Sequence, residues 1–404
     1  SKIHETAFAA PRGTPSMSEA TPFSALESAQ QTGGASAVFD RLIETLVERG
    51  DFHKLFDATL LRRKHELGLP LHRPTSFEDV PAEQKEAFEQ TYVAAARDVG
   101  ERLLGQGKLG QAWIYFHAIR EVGPVTAALE AFPVPRETTE ASEEVIDLGL
   151  FKGVHPTKGL QVMLRTHGTC STITSLDQQF AQLKAEDRAA CAALLVRQLH
   201  EDLLQSVQHE VKQRMPLTPP ANTLRELIEG RDWLFEDNNY HIDVSHLHAT
   251  VRFARSLSPD APELALARDL AEYGAKLSPQ FQYGGDPPFD DFYPAHIQFF
   301  RFLANDDRPA AIAYFKQKLE QAPDATDQAL IAYVLVDLFV RVQQYDEAIP
   351  LAEQYLIGAD DDFSSAFAEL CQQAGRFDAL RRTAAERNDL VTFAAALLQD
   401  TSPK

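Results

Sequence analysis

Apolar residues recur with a helical period along almost the whole chain, and short polar turns divide this pattern into pairs of helices. Near the N-terminus, two amphipathic helices over 37–66 are separated by Gly50-Asp51, and helices over 82–105 and 109–122 follow. The C-terminal third repeats the arrangement with predicted helices over 306–319, 327–342, 345–356, 360–373 and 377–386. The sequence therefore predicts an all-α fold built from antiparallel helix pairs.

Four of the turns share one local pattern, in which an aromatic residue or Leu follows the turn after a single polar residue. These are Gly50-Asp-Phe52, Gly107-Lys-Leu109, Gln343-Gln-Tyr345 and Gly375-Arg-Phe377. Three positions later comes a small or apolar residue, which is Leu55, Ala112, Ala348 or Leu380. We expect the first residue to pack onto the preceding helix and the second to lie where the two helices cross.

The repeat spacing resembles that of tetratricopeptide (TPR) proteins. From Pro309 to Tyr345 is 36 residues and from Tyr345 to Phe377 is 32, close to the period of about 34 in that family. The segment Tyr345-Asp-Glu-Ala348 matches best, and the resemblance covers residues 305–400 well and 37–130 loosely. It implies a right-handed superhelical solenoid with a concave binding surface, and it implies no chemistry.

Four segments are expected. Residues 1–36, rich in Ser, Thr, Ala, Gly and Pro, are either a disordered natural N-terminus or a tag or leader that ends before Met17. Helical hairpins follow over 37–132, then an irregular middle block over 133–304 and the TPR-like repeats over 305–400. In the middle block we expect a linker at 133–144, a short strand or extended turn at 145–151, and helices at 157–185, 186–214, 221–235, 243–257 and 261–277.

Composition limits the partners. The chain has 39 Lys and Arg against 59 Asp and Glu, and a formal net charge of −20 makes nucleic acid and anionic membranes unfavourable partners. The longest apolar stretch, Leu330–Val336, is much shorter than the roughly 20 residues needed to span a bilayer. Three cysteines without CxxC spacing favour a reducing, cytoplasmic compartment.

The segment Tyr240–His248 contains three histidines and an aspartate, a composition typical of metal ligands. On a helix, His241 and His248 would lie on a different flank from Asp243 and His246, so one ion cannot reach all of them. The metal hypothesis takes a divalent transition metal as cofactor, with ligands from His241, Asp243 and His246. The alternatives are a polar ligand pocket, or structural histidines with Asp243 as a helix cap. For the pocket we select Tyr240, Ser245, His248, Arg252, Asp291 and Tyr293.

Two other segments carry candidate catalytic residues. In Arg165–Thr174, His167 and Cys170 would lie one turn apart on a helix and could form an activated thiolate, or the cysteine could simply fill a close helix crossing. The loop 280–294 contains five aromatic residues, and Asp290, Asp291 and His296 at its end could act as acid and base or as ligands. The alternative there is a helix cap near Pro294.

These patterns support two functional hypotheses from different classes. The first is a helical-repeat protein that binds a peptide or protein partner in a concave groove, and the acidic surface favours a basic partner. The second is an enzyme or small-molecule binder whose pocket is assembled where the three polar segments of the middle block converge. Convergence of these side chains around a closed pocket would favour the second.

Overall fold

The computed structural model describes residues 21–215, 223–356 and 361–400. In these ranges the chain forms helices and turns without any strand, which confirms the all-α prediction. The chain divides into two compact units, Ser1–Phe132 and Pro133–Lys404. The segments 133–304 and 305–400, treated separately above, therefore belong to one unit.

The first unit is a series of helices in which each packs on the next. Its helices are α1 (Pro22–Arg49), α2 (Phe52–Glu66), α3 (Lys85–Gly105), α4 (Leu109–Ala118) and α5 (Gly123–Ala131). The loop between α2 and α3 is fastened by Lys64, a fully buried side chain whose Nζ donates to the carbonyl of Arg73 and lies 3.8 Å from Asp79. Because a buried ammonium is stable only when it is paired, this contact fixes the loop against α2.

The second unit begins with the middle block, in which the long helix α8 is the central element. Its helices are α6 (Glu140–Ile146), α7 (Pro156–Gln179), α8 (Ala185–Arg214), α9 (Leu224–Ile228), α10 (Val244–Phe253), α11 (Glu263–Lys276) and α12 (Phe292–Leu303). Helices α7, α9, α10 and α11 all pack against α8. This explains why the block does not follow a simple repeat, since its helices share one partner instead of stacking only on their sequence neighbours.

The C-terminal part of this unit is more regular. Its helices are α13 (Arg308–Gln321), α14 (Ala325–Arg341), α15 (Tyr345–Tyr355), α16 (Asp361–Ala374), α17 (Phe377–Glu386) and α18 (Leu390–Asp400). Each packs on the next, and α12 also contacts α14. Helices α12 and α14 are thus in contact although α13 lies between them in the chain.

The four turns aligned in the sequence share one geometry. Gly50, Gly107, Gln343 and Gly375 all have a left-handed backbone, with φ between 60° and 73°. In each turn the next N–H bonds back to the carbonyl five residues earlier, as from Asp51 to Leu46. The residues three positions into each following helix, Leu55, Ala112, Ala348 and Leu380, are buried. The sequence alignment of these turns is therefore confirmed at the level of the backbone.

Several expectations about local structure are wrong. The described part of the helix expected over 221–235 has only α9 and a 3-10 segment over Asp232–Asn238, and α6 begins at Glu140 within the expected linker.

Helix α1 already begins at Pro22, with Thr21 as its cap, so residues 22–36 are helical apart from a kink at Gly34. Residues 1–20, where the rest of the expectation for 1–36 falls, lie outside the described residues. The segment 145–151 is neither a strand nor an extended turn, because α6 continues directly into a π-helical turn over Asp147–Phe151. Leu148 and Leu150 are both buried in that turn.

Among the described residues, no helix combines the length and the apolar character needed to cross a membrane.

Candidate functional site

The histidine segment begins with a helix cap. Asp243 precedes α10, and its carboxylate accepts hydrogen bonds from the backbone N–H groups of Ser245 and His246 and from the Ser245 hydroxyl. These donors lower the pKa of Asp243. The cap interpretation is therefore confirmed for Asp243, and its oxygens are already used at the start of the helix.

His241 lies in a buried chain of hydrogen-bonding groups. The Tyr273 hydroxyl accepts the backbone N–H of His241 at 2.9 Å and faces Nδ1 of the same residue at 2.9 Å. On the other side of the ring, Nε2 lies 2.8 Å from Glu210 Oε2, although the N–H bond is not directed along that line. Because Tyr273 has a proton left to donate, Nδ1 is the acceptor and Nε2 carries the hydrogen.

The Glu210, His241 and Tyr273 arrangement has the order of a carboxylate–histidine–hydroxyl relay. Burial is the main cause that lowers the pKa of His241, and burial likewise raises the pKa of the fully buried Tyr273 hydroxyl well above its usual range. A hydroxyl at this depth has no path to a substrate. The relay therefore fastens the segment before α10 to α8 and α11.

The predicted metal ligands do not form one site. Both ring nitrogens of His241 already face protein groups, and Asp243 is a cap, while His246 is partly exposed on α10. Within the ranges that the structure describes, no group of three or more His, Cys, Asp and Glu side chains is arranged to hold a metal ion. The donor set of the metal hypothesis is thus divided among separate contacts.

His248 and His296 are brought together by aromatic stacking. The ring of Phe292 lies between them, with its centroid 3.9 Å from His248 and 4.2 Å from His296. Phe289 continues the stack 4.4 Å beyond His296, and the Arg255 guanidinium lies 4.6 Å from the Phe289 ring. We call these five residues the stacked cluster. Phe289 and Phe292 of this cluster belong to the aromatic loop 280–294, and both are buried.

Both histidines of the stacked cluster are neutral. His296 donates from Nδ1 to the carbonyl of Phe292 at 2.6 Å, which leaves its Nε2 as a lone-pair acceptor. Burial, followed by the positive charge of Arg255, lowers the pKa of His296 to about 3, and burial with Arg252 and Arg255 lowers that of His248 to about 4. The Nε2 atoms of both rings have no hydrogen-bond partner among the described residues.

The two aspartates of the aromatic loop are held by α13. Lys318 Nζ lies 2.6 Å from Asp290 Oδ1 and 2.6 Å from Asp291 Oδ1, and the Tyr314 hydroxyl donates to Asp291. Asp291 occupies the position before α12, but its side chain does not cap that helix. The capping alternative for these carboxylates is therefore wrong: they anchor the loop to α13 instead.

His167 and Cys170 are separated by a break in α7. Gly168 has φ 79° and ψ 174°, so the two residues do not follow one continuous helix as the sequence suggested. His167 Nδ1 bonds to the Thr166 hydroxyl at 2.8 Å, and its Nε2 lies 3.2 Å from Glu143. Cys170 is an exposed free thiol. The expected helical geometry of a Cys–His pair is absent from this part of the described chain.

The remaining pocket candidates also have local partners. Tyr240, half exposed, packs edge-on against Phe281, and Arg252 pairs with Asp177 at 2.7 Å. Tyr293 is fully buried against α11, where its ring covers Gly274. Among the candidate residues, the structure therefore brings together His248 with His296, Asp290 with Asp291, and Asp243 with Ser245, but these three pairs do not form one site.

A groove between α14, α15 and α16 was missed by sequence reasoning. It has a volume of about 200 Å³ and a largely apolar lining that includes Val336, Phe367 and Leu370, with Asp337 and Glu369 as its acidic members. On α14, Leu330 and Tyr333 are exposed beside it by 39% and 49%. One sequence feature could have indicated the groove. Helix α14 has more apolar residues than a helix with a single buried face requires.

Comparisons of this chain with family models, with curated proteins and with solved structures gave no match.

Proposed function

We propose that this chain is a TPR-like helical-repeat protein that binds a segment of a partner protein in the groove between α14, α15 and α16. The observation that carries the proposal is the groove itself, an open apolar channel of about 200 Å³ with carboxylates among its lining residues. Grooves between alternate helices are where repeat arrays of this kind offer continuous binding surface.

The repeat geometry supports this assignment. Turns before α15 and α17 have the same left-handed residue and the same backward hydrogen bond, and the aromatic positions Tyr345 and Phe377 that follow are 32 residues apart. Each of α13 to α18 packs on the next. We propose that α12–α18 continue this pattern as a right-handed superhelix.

The groove selects for a partner with an apolar anchor and flanking positive charge. Phe367 and Leu370 are buried in its floor, and Val336 on α14 is nearly so, which suits a Leu, Met or aromatic side chain. Glu369 is exposed at the groove, and the formal net charge of −20 adds a long-range attraction for cations. A Lys or Arg next to the anchor would therefore increase both the rate and the strength of binding.

The alternative of an enzyme with a His, Asp and Cys pocket has less support. His241 is held by Tyr273 and Glu210, and Asp291 by Lys318 and Tyr314. All three cysteines are free thiols, two of them buried, which supports a reducing, cytoplasmic compartment but gives no nucleophile beside a base.

A labelled-peptide experiment tests the proposal. Fluorescence polarisation would compare peptides with one Leu or Phe anchor flanked by Lys with the same peptides flanked by Glu. We expect the Lys-flanked peptides to bind, and Glu369→Lys to weaken them about fivefold, because a favourable charge contact becomes a repulsive one. Glu386 is an exposed residue of α17 outside the groove, so Glu386→Lys is the matched control for the change in total charge.

Ala366→Trp tests the same groove independently, by filling it with a large side chain. Ala366 is exposed and lines the groove, so a large ring can fill the channel without replacing a core residue. Loss of peptide binding in this variant supports the proposal. Equal binding by Glu369→Lys, Glu386→Lys and Ala366→Trp, or a preference for Glu-flanked peptides, would refute it.

A further inference from the structure

A second cavity lies in the middle block between α7 and α8, and it does not depend on the function proposed above. Its volume is about 300 Å³, and four of its lining residues are polar: Gln161, Arg165 and Thr169 on α7 and Gln198 on α8. Arg165 and Thr169 belong to the segment that drew attention in the sequence for His167 and Cys170. In the structure, Arg165 and Thr169 of that segment line this cavity, whereas His167 and Cys170 do not.

Arg165 is the charged residue of this lining, and its guanidinium has no ion pair, ring contact or hydrogen bond among the described residues. Other arginines of the unit pair with carboxylates, as Arg197 does with Glu263, or bond to backbone carbonyls, as Arg231 and Arg308 do. Arg165 has neither kind of partner among the described residues. Its five donors remain available for an acceptor that enters the cavity.

The rest of the lining suits an apolar body. Leu164 and Leu194 add apolar surface to the lining, and Gln198 is oriented by its hydrogen bond to Asp202 at 2.9 Å. At about 30 Å³ for each water molecule, the volume corresponds to about ten water molecules, or a ligand of about ten non-hydrogen atoms. Concave sites with one cation and a few polar groups on an apolar wall are typical of small-ligand sites.

We propose that this cavity binds a small organic monocarboxylate, with its carboxylate on Arg165 and its apolar body against Leu164 and Leu194. Guanidinium and carboxylate groups form two parallel hydrogen bonds, which fixes the orientation of the ligand as well as its charge. The Thr169 hydroxyl and the Gln161 amide are further donors in the same lining.

A phosphate ester fits this site less well. A phosphate dianion is usually held by several cations or backbone N–H groups, and here one guanidinium faces the cavity. The formal net charge of −20 also repels a dianion more strongly than a monoanion. The single positive charge of the site therefore matches a carboxylate better than a phosphate.

Titration of the full chain with phenylacetate, which has about ten non-hydrogen atoms, tests the proposal by calorimetry and by saturation-transfer NMR. Phenylacetamide removes the negative charge, and phenyl phosphate doubles it. We expect phenylacetate to bind most tightly, and Arg165→Gln to weaken it about tenfold or more. Arg188→Gln, on α8 but outside the lining, is the matched control.

The exposed position of Arg165 means that the variant should keep the fold, which circular dichroism checks. Equal binding of the acid by Arg165→Gln and the unmodified chain would overturn the assignment of Arg165. No detectable binding of phenylacetate at millimolar concentration, or tighter binding of phenyl phosphate or of the amide, would overturn the proposed ligand class.

Discussion

At the scale of single residues, buried histidines determine how the second unit responds to acid. His296 is fully buried between Phe289 and Phe292, and its Nε2 has no partner among the described residues. A proton placed on it would be unsolvated and close to Arg255. The folded chain therefore binds this proton far less readily than the unfolded chain does.

We predict that His296→Phe flattens the dependence of stability on pH. The folded pKa of about 3 lies below the unfolded value of about 6.5, so only the unfolded chain is protonated in between. The contribution of His296 is thus fully present above about pH 6.5 and is lost as the pH falls toward about 3. The slope it adds is about 1.4 kcal/mol per pH unit, which urea unfolding at several pH values would measure.

Phe300→Leu separates this effect from simple loss of packing. Phe300 is buried beside His296, and its truncation should lower stability by about 1 kcal/mol at every pH without changing the slope. An unchanged slope in His296→Phe would mean that the folded and unfolded chains bind the imidazole proton equally well, and it would contradict a neutral, buried ring.

Single residues also show which contacts can be predicted from the sequence and which cannot. A cap was among the alternatives for Asp243 because its partners are the N–H groups two and three positions later in the chain. The partners of His241 are Glu210 and Tyr273, which are distant in the sequence. No local pattern indicated them, because the contact depends on how α8 and α11 pack.

At the scale of elements, glycines mark where helices bend or approach closely. Gly168 interrupts α7 with a left-handed backbone, and a Cβ there would meet no other atom within 4 Å. Gly274 is the opposite case, because its backbone is ordinary but the ring of Tyr293 covers it. The same residue type is therefore required for conformation in α7 and for space in α11.

We predict that Gly168→Ala lowers the free energy of unfolding by about 1 kcal/mol, because an alanine is strained at positive φ. Gly105→Ala is the control: Gly105 ends α3 with an ordinary φ and open space, so alanine there should raise stability by about 0.5 kcal/mol. Chemical denaturation of both variants measures the difference. A neutral or stabilising effect at Gly168 would mean that α7 is continuous through this position.

Gly274→Ala should cost about 1 to 3 kcal/mol, because the added methyl group overlaps a ring that is fully buried and cannot move aside. A double-mutant cycle with Tyr293→Leu provides the control. We expect the pair to be less destabilising than the sum of the two single changes, since the smaller side chain makes room for the methyl group. Strict additivity would contradict the close contact between α11 and α12.

At the scale of the whole molecule, charge is the property that acts on every part at once. The excess of 20 acidic residues opposes compaction, while many individual pairs, such as Arg97–Glu121 and Arg252–Asp177, act in the other direction. Surface pairs contribute about 1 kcal/mol or less each, whereas the net repulsion involves all charges together. We expect the repulsion to dominate at low ionic strength.

The melting temperature should therefore rise when NaCl is increased from about 0.01 M to about 0.3 M, because the screening length falls from about 30 Å to less than 10 Å. Calorimetry measures the shift, and choline chloride should give the same result if screening rather than sodium binding is the cause. A fall in melting temperature would indicate that the local ion pairs outweigh the net charge.

Local features followed from the sequence alone: the helical fold class, most helix positions, the four equivalent turns and, as one of three alternatives, the cap at Asp243. These depend on periodicity and on hydrogen bonds between residues a few positions apart, which a single segment specifies. The expected strand at 145–151 failed because a short apolar run is compatible with either structure until its neighbours are known. The partners of the histidines, the groove between α14 and α16 and the cavity beside Arg165 were decided only by tertiary structure, because each joins side chains from helices whose relative positions no local pattern encodes.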